Sequence, residues 1–215
     1  MNIKKILLII LPLFCLCGCV RLGNLNYDEI MSYFDYNPKS ANVFRNGYKL
    51  YVPKGLNVSD AGLNYMILSS VNSKYYIYFD LVAFSNKEET KYETNSNYLY
   101  SKIITKGNIS GYINIKNIEN DKYLIEIVYN YAKIEVMVDS GEGKEALLNA
   151  INILNSIKYD EIIIENLLKD DSLNYTEEIY DMFEKAKDNS NILDYSDESD
   201  TDLSNEEIID TDFIN

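Results

Sequence analysis

A regular alternation of apolar and polar residues, followed by a change to helical spacing, restricts the fold of this chain more than any other feature. Between Lys74 and Phe84, one face of an extended chain carries Tyr75, Ile77, Phe79, Leu81 and Ala83, and the other carries Tyr76, Tyr78 and Asp80. After Gly143 the apolar residues recur at helical spacing, as Leu147, Ala150, Ile151, Leu154 and Ile157. We therefore predict a strand at 74–84, and a later helix that presents one apolar stripe to a sheet.

The same two periods predict the other elements. Strands are expected at Tyr48–Val52, Asn64–Ser69, Tyr98–Thr105, Tyr112–Ile118, Tyr123–Tyr131 and Lys133–Val138. Asn26 and Glu29 form a capping-box pattern, which predicts a helix to about Phe34. Two more helices are expected, one from Asp160 to about Lys169 and one that Asn174 caps. We assign Asp35–Asn46 and Ser85–Asn97 to loops.

The order of these elements predicts the fold class. Strands come first and helices follow, without β-α-β alternation, which is typical of an α+β fold with an antiparallel sheet layered by helices. Segments Gly47–Pro53 and Leu154–Ile157 resemble the glycine-aromatic-strand-proline entry and the closing helix-serine segment of the PsbP-like α/β/α sandwich, over residues of about 47–159. Members of that fold are largely non-catalytic binding and assembly factors, so the resemblance implies a role of that kind.

The N-terminus has the anatomy of a signal peptide. Lys4 and Lys5 precede the apolar stretch Ile6–Cys17, which at about 18 Å is too short to span a bilayer core of about 30 Å. The run Leu16-Cys17-Gly18-Cys19 resembles the bacterial lipobox. That resemblance implies cleavage after Gly18 and a diacylglycerol thioether on Cys19, with fatty acyl chains such as palmitate holding the chain on the outer side of the cell membrane. The alternatives are a plain secretory peptide or a cytosolic protein with an apolar start.

These observations divide the chain into four parts. Residues 1–18 form the signal peptide, 19–26 a lipidated tether, 27–187 a single α+β domain and 188–215 an acidic, disordered tail. The tail carries ten acidic residues and no basic one, so its charge opposes folding. Its apolar end, which includes Ile208 and Phe213, leads to a second hypothesis, namely that it docks as a short helix on a partner or on its own domain.

Composition removes most catalytic chemistry from the expected functions. The chain has no histidine and no tryptophan, and its three cysteines all lie at or before position 19. Serine and cysteine triads, ordinary zinc sites and internal disulfides of the mature chain are therefore excluded. No basic stripe is present for nucleic acid. We expect a chain that is not an enzyme and that takes no cofactor and no metal.

One exposed patch is the candidate binding site. Tyr76, Tyr78 and Asp80 lie on the polar face of the predicted strand, and Tyr98 and Tyr100 follow as possible additions. The alternative interpretation is structural, because tyrosine suits half-buried strands and an outward aspartate often pairs with a neighbouring lysine.

The sequence thus predicts a membrane-anchored extracytoplasmic lipoprotein that binds or scaffolds another component of the cell envelope. Its partners would be the membrane, through the lipid anchor, and an unidentified envelope protein or ligand. Two alternatives remain, a domain that captures a small molecule or glycan, and an enzyme that uses carboxylates.

Overall fold

The computed structural model describes residues 22–169, in which ten strands form two antiparallel sheets. The large sheet has the order β3-β4-β5-β9-β8-β7-β6, and the small sheet has the order β1-β2-β10. The strands are β1 Val43–Arg45, β2 Tyr48–Leu50, β3 Asn57–Ala61, β4 Tyr65–Ser69, β5 Lys74–Phe79, β6 Tyr100–Lys106, β7 Ile109–Ile118, β8 Lys122–Tyr129, β9 Ala132–Asp139 and β10 Lys158–Tyr159. The α-helices are α1 Tyr27–Met31, α2 Leu81–Asn86, α3 Gly143–Ser156 and α4 Glu161–Lys169. The predicted α+β class with an antiparallel sheet against helices is confirmed.

The core lies on one face of the large sheet, which we call the inner face. Alternate residues of the central strands, such as Ile77, Ile127 and Val136, are buried there. Helix α3 packs across β8 and β9 and also contacts β2 of the small sheet. The helix buries the stripe that its spacing predicts, including Leu147 and Leu154.

The hairpins place their turns at two opposite ends of the large sheet. The β4–β5 turn at 70–73 and the β7–β8 turn at 119–121 lie at the end where α3 begins. We call this the Val71 end. The β6–β7 turn at Gly107 and Asn108 lies at the other end, which we call the Asn108 end. The β8–β9 turn lies there too, with Asn130 and Tyr131 both in the left-handed region, as a two-residue hairpin turn of type I′ requires.

Residues 22–29 pack against the domain more closely than the sequence predicted. The expected capping box is present, with Asn26 and Glu29 bonding each other's backbone N–H groups. Before it, Leu22–Asn24 forms a 3₁₀ turn, and Leu22 and Leu25 pack against the core. Part of the predicted tether at 19–26 therefore contacts the domain, because these two leucines cover apolar surface of the core.

The strand predicted at 74–84 is also corrected. It ends at Phe79, and Asp80 caps helix α2 by accepting a hydrogen bond of 2.8 Å from the backbone N–H of Ala83. The alternation of apolar and polar residues predicted a strand here because an apolar residue such as Leu81 fits a buried position of a strand as well as one of a helix. The side chain of Asp80, as an N-cap, favours the helix. The predicted helix from Asp160 to Lys169 is confirmed as α4.

Three edge strands were missed. β1 lies in the predicted loop at 35–46, β3 follows Pro53 where no element was assigned, and β10 lies between two predicted helices. All three are short and contain exposed residues, so none of them shows a clear alternation of apolar and polar residues. No helix within residues 22–169 is long and apolar enough to cross a membrane. The predictions for the signal peptide, Gly18, Cys19, the helix after Asn174 and the tail at 188–215 lie outside the described residues.

Candidate binding surface on the outer face of the sheet

Two of the predicted patch residues lie side by side on the outer face of the large sheet, opposite α3. Tyr76 pairs in register with Glu135 of β9, and Tyr78 pairs with Lys133. Both tyrosines are half-buried. They border the centre of the sheet, because β9 is the fourth of its seven strands.

A buried charge network occupies that centre. The Lys133 ammonium lies 2.8 Å from Glu135 Oε1 and 3.0 Å from Glu126 Oε2. The side chains of Lys133 and Glu135 are only 10% and 5% exposed. Glu126 and Glu135 are direct cross-strand partners, a placement that would be repulsive if no cation lay between them. We call these three residues the charge cluster.

Neighbouring side chains complete the hydrogen bonds of the charge cluster. The buried Asn114 amide donates to Glu126 Oε1 at 3.2 Å, and its carbonyl oxygen accepts from the Tyr92 hydroxyl at 2.6 Å. Tyr92 also stacks on Tyr112, with ring centroids 3.9 Å apart. The segment 87–99 thus crosses part of the outer face and shields the cluster from water on that side.

Exposed apolar side chains flank the cluster. Tyr65 of β4, in register with Tyr78, is 40% exposed. Ile103 of β6, in register with Tyr112, is 48% exposed. Four strands lie between β4 and β6 in the sheet, so five steps of about 4.8 Å give the row from Tyr65 to Ile103 a length of about 24 Å. The outer face thus carries a strip of aromatic and aliphatic side chains around a polar centre, and Tyr92 covers the part of it at Tyr112.

The remaining predicted patch residues do not join this strip. Asp80 is engaged as the cap of α2. Tyr100 lies on the inner face, where its hydroxyl donates to Asp28 at 2.8 Å, because it pairs with the buried Ile115. Burial, and then the hydrogen bond to the Asp28 carboxylate, raise the pKa of Tyr100 well above its ordinary value. Tyr98 lies in the bend before β6.

The charge cluster itself was missed by the sequence analysis. Its signal is a charged residue at alternate positions of otherwise apolar strands, as in Lys133 and Glu135 of β9 and Glu126 of β8. The same pattern describes any solvated outer face, so only the central position of β9 reveals that these charges are buried.

A cavity of about 200 Å³ lies at the Val71 end of the sheet. Its lining is mixed, with polar side chains such as Ser70, Asn72, Glu142 and Glu145 beside apolar ones such as Leu56, Val71 and Val138. Tyr75 also lines it, and burial raises the pKa of this hydroxyl against the opposing effect of hydrogen bonds with Asn149 and Ser73. A second, polar cavity of about 460 Å³ lies at the Asn108 end, beside Lys87 and Tyr131.

The charge cluster is neither a metal site nor a pair of carboxylates that face each other across a cleft. No group of three ligating side chains in residues 22–169 could hold a metal ion. Glu126 and Glu135 share the Lys133 ammonium on one sheet and do not face each other across a cleft.

No family model matches the chain, and no curated protein matches it. Among solved structures, the chain is similar to the crystal structure of a GTP-binding regulator from Thermotoga maritima, with a TM-score of 0.25 and 9% sequence identity. That match covers 63% of this chain and 93% of the other. A likeness of this size carries no argument about fold or activity.

Proposed function

We propose that this chain is an extracytoplasmic lipoprotein, anchored in the cell membrane through Cys19, whose domain is a non-enzymatic binding component of the cell envelope. We further propose that the outer face of the large sheet is the surface that binds an envelope protein. The observation that carries the second part is the row of half-buried and exposed tyrosine and aliphatic side chains on the face of the sheet opposite α3.

The anchor is supported by the sequence and by where the domain begins. The positive n-region, the apolar stretch and the small Gly18 before Cys19 agree with lipoprotein processing. Leu22 packs against the core of the domain, and only Val20 and Arg21 separate it from the acylated residue in the sequence. Two or three acyl chains bind stably where one binds only reversibly.

A protein partner fits the outer face better than a small polar ligand does. The carboxylates of the charge cluster are already paired with Lys133, and Asn114 is hydrogen-bonded on both sides, so these groups are satisfied without a ligand. Tyrosine side chains at a flat surface provide large contact area at low entropic cost, as in the cores of protein interfaces.

One observation favours the alternative of small-molecule capture. The cavity at the Val71 end brings together the hydroxyls of Ser70 and Ser73, the amide of Asn72 and two carboxylates. Convergent polar groups in a concave site are typical of ligand pockets, which usually have volumes of about 300–1,000 Å³. The cavity at the Val71 end is smaller than this, whereas the cavity of about 460 Å³ at the Asn108 end lies within the range. The protein partner is our leading proposal because the outer face presents the longer continuous row of tyrosine and aliphatic side chains.

The PsbP-like architecture is a separate proposal about the fold. The two segments that carry the resemblance contact each other, since the backbone N–H of Tyr51 donates to the Ser156 hydroxyl at 2.8 Å. That hydroxyl donates in turn to the Ile153 carbonyl oxygen at 2.6 Å. An experimental structure of this domain, superposed on that of a PsbP-like protein, would test the proposal: a different strand order would contradict it.

Site-specific photo-crosslinking in cells tests the binding surface. A photoreactive phenylalanine analogue at Tyr65 or Ile103 is expected to yield the same crosslinked envelope protein. The matched control is Phe44 of β1, which is 68% exposed but lies in the small sheet. Equal crosslinking from Phe44, or none from Tyr65 and Ile103, would contradict the proposed surface.

A further inference from the structure

The N-terminal turn is attached to one particular end of the sheet. We propose that the Val71 end of the domain faces the lipid bilayer, and that the Val71 side chain enters the interfacial region of the membrane that holds the acylated Cys19. This inference rests on the anchor in the proposed function. It adds the orientation of the domain and a second membrane contact.

The length of chain between the anchor and the domain limits the distance to the bilayer. Cys19 and Leu22 are three residues apart, so even a fully extended chain spans only about 10 Å between them. Leu22 cannot move away from the domain, because it packs against the core and the Lys144 ammonium donates to the Gly23 carbonyl oxygen at 2.7 Å. The part of the domain around Lys144 is therefore held within about one headgroup layer of the anchor.

Val71 belongs to the same part of the surface. Lys144 lies in the first turn of α3, two residues after Glu142. The Glu142 carboxylate accepts a hydrogen bond of 3.0 Å from the Asn72 side chain, which fixes the β4–β5 turn beside the start of α3. Val71 is at the tip of that turn and is 99% exposed, more than any other large apolar residue in positions 22–169.

An apolar tip beside a lipid anchor has one chemically suitable partner, the interfacial layer of the bilayer. An isolated valine does not bind a membrane by itself, but it can orient a domain that acyl chains already hold there. The nearby charges are mixed, with Lys54 and Lys144 beside Glu142 and Glu145, so they do not select anionic lipid. We therefore expect the Val71 contact to be insensitive to salt.

The proposed orientation also positions the rest of the sheet. Strand β7 has ten residues and a length of about 33 Å, so the Asn108 end lies about 30 Å farther from the anchored turn than the Val71 end does. The strands then run away from the bilayer, and the outer face with Tyr65 and Ile103 is turned sideways toward neighbouring envelope proteins.

The composition of the chain allows a single fluorescent probe and a single site of lipid coupling. The protein has no tryptophan, and Cys19 is the only thiol from residue 19 onward. A chain of residues 19–215 can be coupled by its Cys19 sulfur to a maleimide lipid in phosphatidylcholine vesicles whose acyl chains carry bromine, which quenches tryptophan. The variants are Val71→Trp and, as the matched control, Asn108→Trp at an exposed turn of the opposite end.

The expected result is a loss of emission and a shift to shorter wavelength for Val71→Trp on brominated vesicles, unchanged by added salt. Asn108→Trp should keep the intensity and wavelength that it has in solution. Equal quenching of both variants, or quenching of Asn108→Trp alone, would overturn the proposed orientation. If Val71→Trp does not fold by circular dichroism, Glu119→Trp at the neighbouring exposed turn replaces it with the same expected quenching.

The test separates this inference from the proposed function. Chemical coupling supplies the anchor, so the quenching result does not depend on whether a cell acylates Cys19. A native protein that carries no lipid would refute the anchor, whereas an anchored protein whose Val71→Trp variant is not quenched would refute only the orientation.

Discussion

Replacing Lys133 by methionine removes the cation of the charge cluster and leaves two buried carboxylates as cross-strand neighbours. At 2.8 Å and an effective dielectric constant of about 20, the attraction between Lys133 and Glu135 alone is about 6 kcal/mol before desolvation. Desolvation costs several kcal/mol per ion and offsets part of this attraction. The pair of Lys133 with Glu126 contributes less, because the Glu126 side chain is 21% exposed. We expect Lys133→Met to lower the free energy of unfolding by about 3–5 kcal/mol, the usual effect of breaking a buried pair.

Urea unfolding of the described domain, followed by circular dichroism, measures this effect. The matched control is Lys87→Met, because Lys87 also lies 2.8 Å from a carboxylate, that of Glu161, but both of these side chains are more than half exposed. The control should lose only about 0–1 kcal/mol. The triple variant with Lys133→Met, Glu126→Leu and Glu135→Leu should regain most of the lost stability, since apolar replacements of a whole buried network are often neutral. Equal losses for Lys133→Met and Lys87→Met would refute the claim that the cluster is buried.

Three further predictions follow from other described residues. Tyr48→Phe should raise the free energy of unfolding by about 1 kcal/mol, because the Tyr48 hydroxyl is buried and has no hydrogen-bond partner within residues 22–169, and burial raises its pKa to about 12. In the same chemical-denaturation assay, Tyr75→Phe should lower the free energy of unfolding, because Tyr75 is as buried as Tyr48 but its hydroxyl is hydrogen-bonded. A Tyr75→Phe variant more stable than the Tyr48→Phe variant would contradict this reasoning. Gly111→Ala should destabilise by about 1–3 kcal/mol or more, because its Cβ would lie 2.0 Å from a backbone carbonyl oxygen, whereas Gly141→Ala, with open space around it, should show little change in thermal denaturation. Hydrogen bonds from a lysine ammonium and a tyrosine hydroxyl lower the pKa of Asp28, so the stability that this contact contributes is present above the ordinary aspartate pKa and is lost as pH falls through the lowered value. A carboxyl NMR titration should give Asp28 a pKa below 3.8, and an ordinary value would contradict the contact.

Local signals in the sequence predicted local structure well. The Asn26 and Glu29 capping box and the apolar stripe of α3 each depend on residues close together in the chain. Asp80 shows the limit of this reasoning, because an apolar alternation that fits a strand also fits the start of a short helix.

The candidate surface required non-local information. Lys133 and Glu135 look like outward residues of an ordinary strand, and they are buried only because β9 lies in the middle of the sheet with β5 on one side and β8 on the other. That order depends on pairing between β5 and β9, which are more than fifty residues apart in the chain. The sequence pattern could place Tyr76 and Tyr78 on one face of their strand, but it could not identify the residues of other strands that lie beside them on that face.

The central claim is that Cys19 anchors a domain that begins three residues later, and mass spectrometry of the native N-terminal peptide tests it most directly. The account predicts a peptide that starts at Cys19 and carries a diacylglycerol thioether, in protein recovered from the membrane fraction. A peptide that retains Met1, or an unmodified Cys19 in a soluble fraction, would contradict it.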